Sequence, residues 1–188
     1  MTHVPRYLFV SGVLFALVCA GCASYPEAQL KEAQAAMDEA LKLQPEIFAP
    51  GNWQEAKKTW DDAQALLSQQ KYGQAGPLFL TAKSRIEKAA SIAKGKREAV
   101  LKEVTQAQQE INTRHAVLRS DLSASRLSGS ARKNLEDCCN QLQQQIDRLN
   151  AEIEQGDLIK AQATAKDSLK LVYEGQLKMD AALKRKHP

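Results

Sequence analysis

Cysteine and histidine are the side chains here with the most to offer chemically, and their placement is uneven. The cysteines are Cys19, Cys22, Cys138 and Cys139. Cys22 follows the small pair Ala20-Gly21 at the close of an apolar run, Leu8 to Ala20. Residues Met1 to Tyr7 carry one cation, Arg6, and no acid. A membrane-spanning helix needs about 20 apolar residues, and this run has 13. A basic start, a short apolar centre and a small-residue end describe a secretory signal peptide over residues 1–21. Cleavage there makes the Cys22 thiol the first side chain of the mature chain.

Cys138 and Cys139 are neighbours, and adjacent positions on a helix point about 100° apart, too far for a relaxed disulfide. No second pair stands at metal-ligand spacing. Cys139 is expected on an apolar seam, where a free thiol behaves as a small hydrophobe. Cys138 flanks it, and an exposed Cys138 is the one candidate for thiol crosslinking or redox chemistry. Two histidines remain in the mature chain. His187 lies in the basic tail, residues 185–188, and His115 sits beside Arg114 and Arg119 with no thiol or carboxylate recognisably placed to pair with it. The acid pairs Asp61-Asp62 and Glu136-Asp137 diverge on a helix, whereas a carboxylate dyad must converge. No Gly-rich phosphate loop or metal motif is present. These residues predict no catalytic site, no metal and no cofactor. Trp53 is either a core cap or an exposed anchor.

Composition bounds the partners. Removing residues 1–21 leaves 167 residues, in which 25 basic side chains face 22 acidic ones. That balance is too mild for a nucleic-acid binder. No aromatic occurs between Phe79 and Tyr173, so no ladder exists for stacking bases. Ala, Gln, Lys, Leu and Glu dominate, all good helix formers, and no Asn-Gly hairpin signal appears. The class is all-α.

Five helices are expected. The first runs from about Pro26 to Gln44, following a tether over residues 22–26. The connection after it carries Ile47 and Phe48, expected to plug the end of a core. The second helix runs to about Gln70, with Ala56, Trp60, Ala63 and Leu67 on one stripe. After the turn Lys71-Tyr72-Gly73 comes a long third helix to about Leu122. Its seam is Tyr72, Ala75, Phe79, Ala82, Ile86, Ala90, Ala93, Arg97, Val100, Val104, Ala107 and Ile111, continued by His115, Leu118 and Leu122 after a phase slip. Steps of three and four give a 3.5-residue repeat, the mark of helices packed side by side. Pro77 falls early enough in this helix to be tolerated, and Gly95 weakens its middle by up to ~1 kcal/mol without having to break it. The fourth helix spans about Ala131 to Gln155 on Leu135, Cys139, Leu142, Ile146, Leu149 and Ile153. The fifth spans Leu158 to Lys184, with Ala161, Ala165, Leu169, Val172, Gln176, Met179 and Leu183 inward. The expected architecture is an elongated antiparallel helical bundle or coiled coil. Two three-helix bundles, residues 27–98 and 99–184, share the long central helix.

The two hairpins repeat at an offset of 86 residues. Ala56, Trp60, Ala63, Leu67, Tyr72, Ala75, Phe79 and Ile86 map onto Leu142, Ile146, Leu149, Ile153, Leu158, Ala161, Ala165 and Val172, with polarity kept throughout.

Ala20-Gly21-Cys22 resembles the lipobox of bacterial lipoproteins, usually Leu-Ala-Gly-Cys, with Cys19 standing where Leu is usual. The resemblance implies diacylglycerol on the Cys22 sulfur and an acyl chain on its amine. Several chains anchor stably, at about 0.8 kcal/mol per buried CH₂. Ala23-Ser24 after the cysteine, in place of Asp, implies the periplasmic leaflet of the outer membrane in a Gram-negative host. Residues 26–98 resemble the domain-of-unknown-function 4398 family of bacterial lipoprotein domains. That likeness is carried by Ala49-Pro50, the Ala56/Ala63 spacing, Lys71-Tyr72 followed by Ala75, and the Ala-Lys-rich stretch from Ala82 to Glu98. The hairpin is also similar to a tetratricopeptide unit, without the regular period of about 34 residues. The implied protein is a non-enzymatic envelope scaffold or adaptor with a protein partner. Two other readings are a spacer binding peptidoglycan non-covalently through basic residues, and a redox protein using Cys138. Lys83, Arg85, Lys88, Lys94, Lys96, Arg97 and Lys102, interleaved with Glu87, Glu98 and Glu103, form either a solvated face or a contact for anionic headgroups or peptidoglycan.

Overall fold

The computed structural model describes residues 24–184. The expected signal peptide, residues 1–21, with Cys19, then Cys22 and the basic tail with His187, lie outside them. Among the described residues there are six helices and no strand: α1 (Glu27–Leu41), α2 (Pro45–Phe48), α3 (Pro50–Ser68), α4 (Tyr72–Ala124), α5 (Gly129–Glu154) and α6 (Leu158–Lys184). The protein is an all-α helical bundle with one long central helix, α4, unbroken through Pro77 and Gly95. Where five helices were expected there is a sixth, α2. The first helix ends at Leu41, short of the expected Gln44, and Pro45 opens α2, because its ring fits the first helical position where no N–H is needed.

The chain divides between Lys94 and Gly95 into two units. In the first, α1, α3 and residues 72–94 of α4 enclose two apolar clusters. One joins Ala40, Trp53, Ala56, Ala82, Ile86 and Ala89; the other joins Ala33, Ala63, Ala75 and Phe79. The Trp60 ring meets Phe79 edge-on at 5.4 Å. Phe48 closes the end of this core, but Ile47 is 48% exposed, so only one of the expected pair acts as a plug. In the second unit, residues 95–124 of α4 pack with α5 and α6. Val104, Ile111, Leu142, Ile146, Leu149, Ala161, Ala165 and Val172 form one cluster, and Leu118, Leu122, Leu135, Cys139 and Met179 another.

The buried seam of α4 in the first unit is Ala75, Phe79, Ala82, Ile86, Ala89 and Ala93. That of α6 is Ala161, Ala165, Ser168, Val172, Gly175 and Met179. Both are strict alternations of four and three residues, and they coincide at the offset of 86. Three expected inward positions are thus displaced by one residue. Ala89 replaces Ala90, Ser168 replaces Leu169, and Gly175 replaces Gln176. At the two α6 positions the smaller residue faces the core, and at Gly175 the helices approach closely. A Cβ on Gly175 would lie 2.8 Å from a Leu118 methyl and 3.0 Å from the Cys138 sulfur. Leu183, also expected inward, is exposed.

The two hairpin turns share their backbone. After α3, the Lys71 amide donates to the Leu66 carbonyl and the Gln70 amide to Leu67. After α5, the Asp157 amide donates to Glu152 and the Gly156 amide to Ile153. Both are the Schellman pattern, which needs one left-handed residue past the helix end. Gln70 takes φ 60° and Gly156 φ 75° at equivalent places.

Candidate functional site

Of the residues with chemical potential, Cys19, Cys22 and His187 lie outside the described residues; the bundle places the others. Cys138 and Cys139 are free thiols, 4% and 6% exposed. Cys138 packs beneath Gly175, and burial pushes the pKa of both thiols up. A buried, protonated thiol is a poor nucleophile. The exposed Cys138 that a crosslinking or redox role requires is therefore absent from this fold.

His115 is buried on the α4 seam, 5% exposed, and its Nε2 has no hydrogen-bond partner. Burial holds its pKa below the ordinary value, and nearby Arg119 pushes the same way; the Cys139 backbone partly offsets both. A neutral, enclosed imidazole of this kind fills space. Asp61, Asp62 and Asp137 are exposed, and Glu136 accepts from Arg132 Nε at 2.8 Å; neither acid pair converges. Trp53, 6% exposed, belongs to the core and is no surface anchor. On the basic stretch, Lys83 spans from α4 to Glu32 on α1 at 3.0 Å, with Glu87 at 3.9 Å. Among the described residues no group of three or more His, Cys, Asp or Glu side chains could hold a metal ion. None of the described helices is long and apolar enough to cross a membrane.

Two polar groups and one packing contact were not apparent from the sequence. Tyr173 on α6 donates to Glu110 Oε1 at 2.6 Å, and Arg114 Nε donates to the same oxygen at 2.8 Å. The Arg114 guanidinium stacks 4.3 Å from the Tyr173 ring centroid. The Glu110–Arg114 spacing of four was legible, whereas Tyr173 is remote in sequence. Glu152 is buried and accepts from Arg148. Burial raises its pKa, but the Thr164 hydroxyl and the Arg148 guanidinium outweigh burial and leave it below the usual range. Pro26 is buried against Gly76, where an added Cβ would meet the Pro26 Cβ at 3.3 Å.

In each unit one flank is open. In the first, a groove of about 720 Å³ runs between α1 and α4 over Ala35, Ala36, Ala40 and Ala90, rimmed by Glu32, Glu39, Lys83 and Lys94. In the second, a groove of about 620 Å³ between α4 and α6 is floored by Val104, Ala107, Ala165 and Leu169. Polar bridges cross both flanks, Lys83 to Glu32 in one and Gln162 to Glu103 in the other.

A scan against protein-family models, a search of curated proteins and a search of solved structures each returned no match. The expected likeness of residues 26–98 to the domain-of-unknown-function 4398 family thus finds no support among the family models.

Proposed function

We propose that the chain is a lipid-anchored envelope lipoprotein, held by Cys22 in the periplasmic leaflet of the outer membrane, and that it acts as a non-enzymatic scaffold or adaptor. The anchor reading rests on the apolar run ending in Ala20-Gly21-Cys22. The observation that carries the adaptor reading is the open flank repeated in both units. Floors of alanine and short aliphatic side chains let another helix come near, and charged rims supply register. The polar residues with catalytic potential are instead buried apart from one another, as His115 and Glu152 are, or solvated, as Asp61 and Asp62 are.

In-cell crosslinking of the full chain, followed by identification of retained proteins, tests the adaptor reading. An envelope protein crosslinked at Ala35 or Gln162 is the expected result. A strictly monomeric chain with no retained partner in crosslinked membranes overturns it. Mass spectrometry of the mature N-terminal peptide tests the anchor separately, through the diacylglycerol mass on Cys22.

A further inference from the structure

We infer that the end of the first unit formed by Tyr25, the α3–α4 turn and Tyr72 is a membrane-contact surface that rests on the phospholipid headgroup layer. The inference rests on the lipid-anchor reading of Cys22 and goes beyond it by assigning the protein surface that meets the bilayer.

The argument begins with how the chain leaves the bundle. Pro26 is buried and seated on Gly76, where no side chain larger than hydrogen fits without displacement. The Tyr25 ring meets the Tyr72 ring edge-on at 5.5 Å. The Leu30 amide donates to the Pro26 carbonyl at 3.0 Å, so Pro26 caps α1 and the helix starts at the next residue. The exit point is therefore fixed to the start of α4. Cys22 is four residues before Pro26, and four residues reach at most about 14 Å. A diacylglycerol on Cys22 buried in the bilayer leaves this end of the unit no room to stand clear of the headgroups.

The residues there suit that position. Tyr25 is 51% exposed, and Tyr72 is half-buried beside it. A tyrosine has an apolar ring and a wet hydroxyl, which places it at the membrane–water boundary. The surrounding exposed residues are Ser68, Gln69, Gln70, Lys71 and Gln74, with Glu27 and Lys31 on α1. Charges of both signs nearly cancel, so the contact depends on the rings and the tether and not on attraction to anionic lipid.

A photoreactive benzoylphenylalanine replacing Tyr25, Tyr72 or, as a control on α2 beyond the far end of α1, Ile47 tests the assignment. Each full-length lipidated protein is reconstituted in phosphatidylethanolamine–phosphatidylglycerol vesicles, with its helicity compared by circular dichroism. The diacylglycerol on Cys22 is verified by mass before irradiation. Phospholipid adducts several-fold more abundant at positions 25 and 72 than at 47, and unchanged by added salt, support the surface. Equal adduct levels at all three positions on a lipidated protein overturn it while leaving the anchor intact. A protein adduct at position 72 in intact cells overturns it too, since a protein then covers this end. A Cys22 without lipid removes the anchor reading and this surface together, and is recognised at the mass step.

Discussion

At the scale of single residues, two positions carry strain or burial that a measurement can reach. His115 is neutral in the folded bundle because burial and Arg119 disfavour its charged form. The unfolded chain takes up the proton near the ordinary histidine value of about 6.5. Between that value and the lower folded value the unfolded state binds more protons, so stability falls as pH falls below about 6.5. Above it, this contribution is fully present. His115→Leu is expected to flatten the stability–pH curve between pH 7.5 and 5, read from urea denaturation at each pH. A slope that survives the substitution assigns the pH dependence elsewhere. Gln70 occupies a left-handed backbone conformation at φ 60°, where a residue with a Cβ is strained and glycine is not. Gln70→Gly is expected to stabilise the protein by up to ~1 kcal/mol, the gain offset in part by the freer unfolded chain. Gly156→Ala, at the matching turn, should destabilise it by a similar amount, and thermal melts of the pair distinguish the two signs.

At the scale of elements, a spare glycine on α4 contrasts with one on α6 that is needed. Nothing lies within 4 Å of a Cβ built on Gly95, which sits in the interior of a 53-residue helix. Gly95→Ala is therefore expected to raise stability by about 0.5–1 kcal/mol through helix propensity alone. Gly175 is the opposite case, with Leu118 and Cys138 already against it. Gly175→Leu forces α6 away from α4 and α5 and should cost about 1–3 kcal/mol or more. Both are measured by chemical denaturation, and a Gly175→Leu protein as stable as the parent would show that α6 can shift freely. The repeat belongs to this scale as well. Trp53 and Cys139, Ala82 and Ser168, and Ala89 and Gly175 occupy equivalent buried places. The conserved quantity is thus the seam and the Schellman turn, while side-chain volume varies between the two hairpins.

At the scale of the whole molecule, each unit is built on three long helical segments, the first with the short α2 besides, and α4 ends one unit and begins the other. The cores differ in substance. The first rests largely on alanine, with Trp53, Phe79 and Ile86 supplying bulk, and the second on Leu, Ile and Val. Phe79→Ala removes a ring that is fully buried, and a core Phe→Ala change costs about 3–5 kcal/mol. Hydrogen exchange should show the loss concentrated in residues 27–94, and a uniform loss over both units would mean that they unfold together. For the anchor, Cys22→Ser is expected to abolish incorporation of labelled palmitate and release the chain from the membrane fraction. Retained palmitate would assign the lipid to another residue.

The sequence by itself determined the all-α class, the α4 span from Tyr72, both hairpin turns, the α6 limits and the 3.5-residue seams, because helix propensity, glycine placement and apolar spacing are local properties. It also supplied the Cys22 reading, which depends on a short contiguous motif. Tertiary structure decided what periodicity leaves open, namely the rotation of each helix about its axis. A three–four alternation reads almost as well with Ala90, Leu169 and Gln176 inward as with Ala89, Ser168 and Gly175. The choice falls to how closely the neighbouring helix approaches, and that is set by residues such as Leu118 far along the chain. The same contacts enclosed Cys138, took Trp53 into the core, left the His115 Nε2 unpaired and seated Pro26 on Gly76. Each depends on a partner from another helix, and no local pattern carries that information.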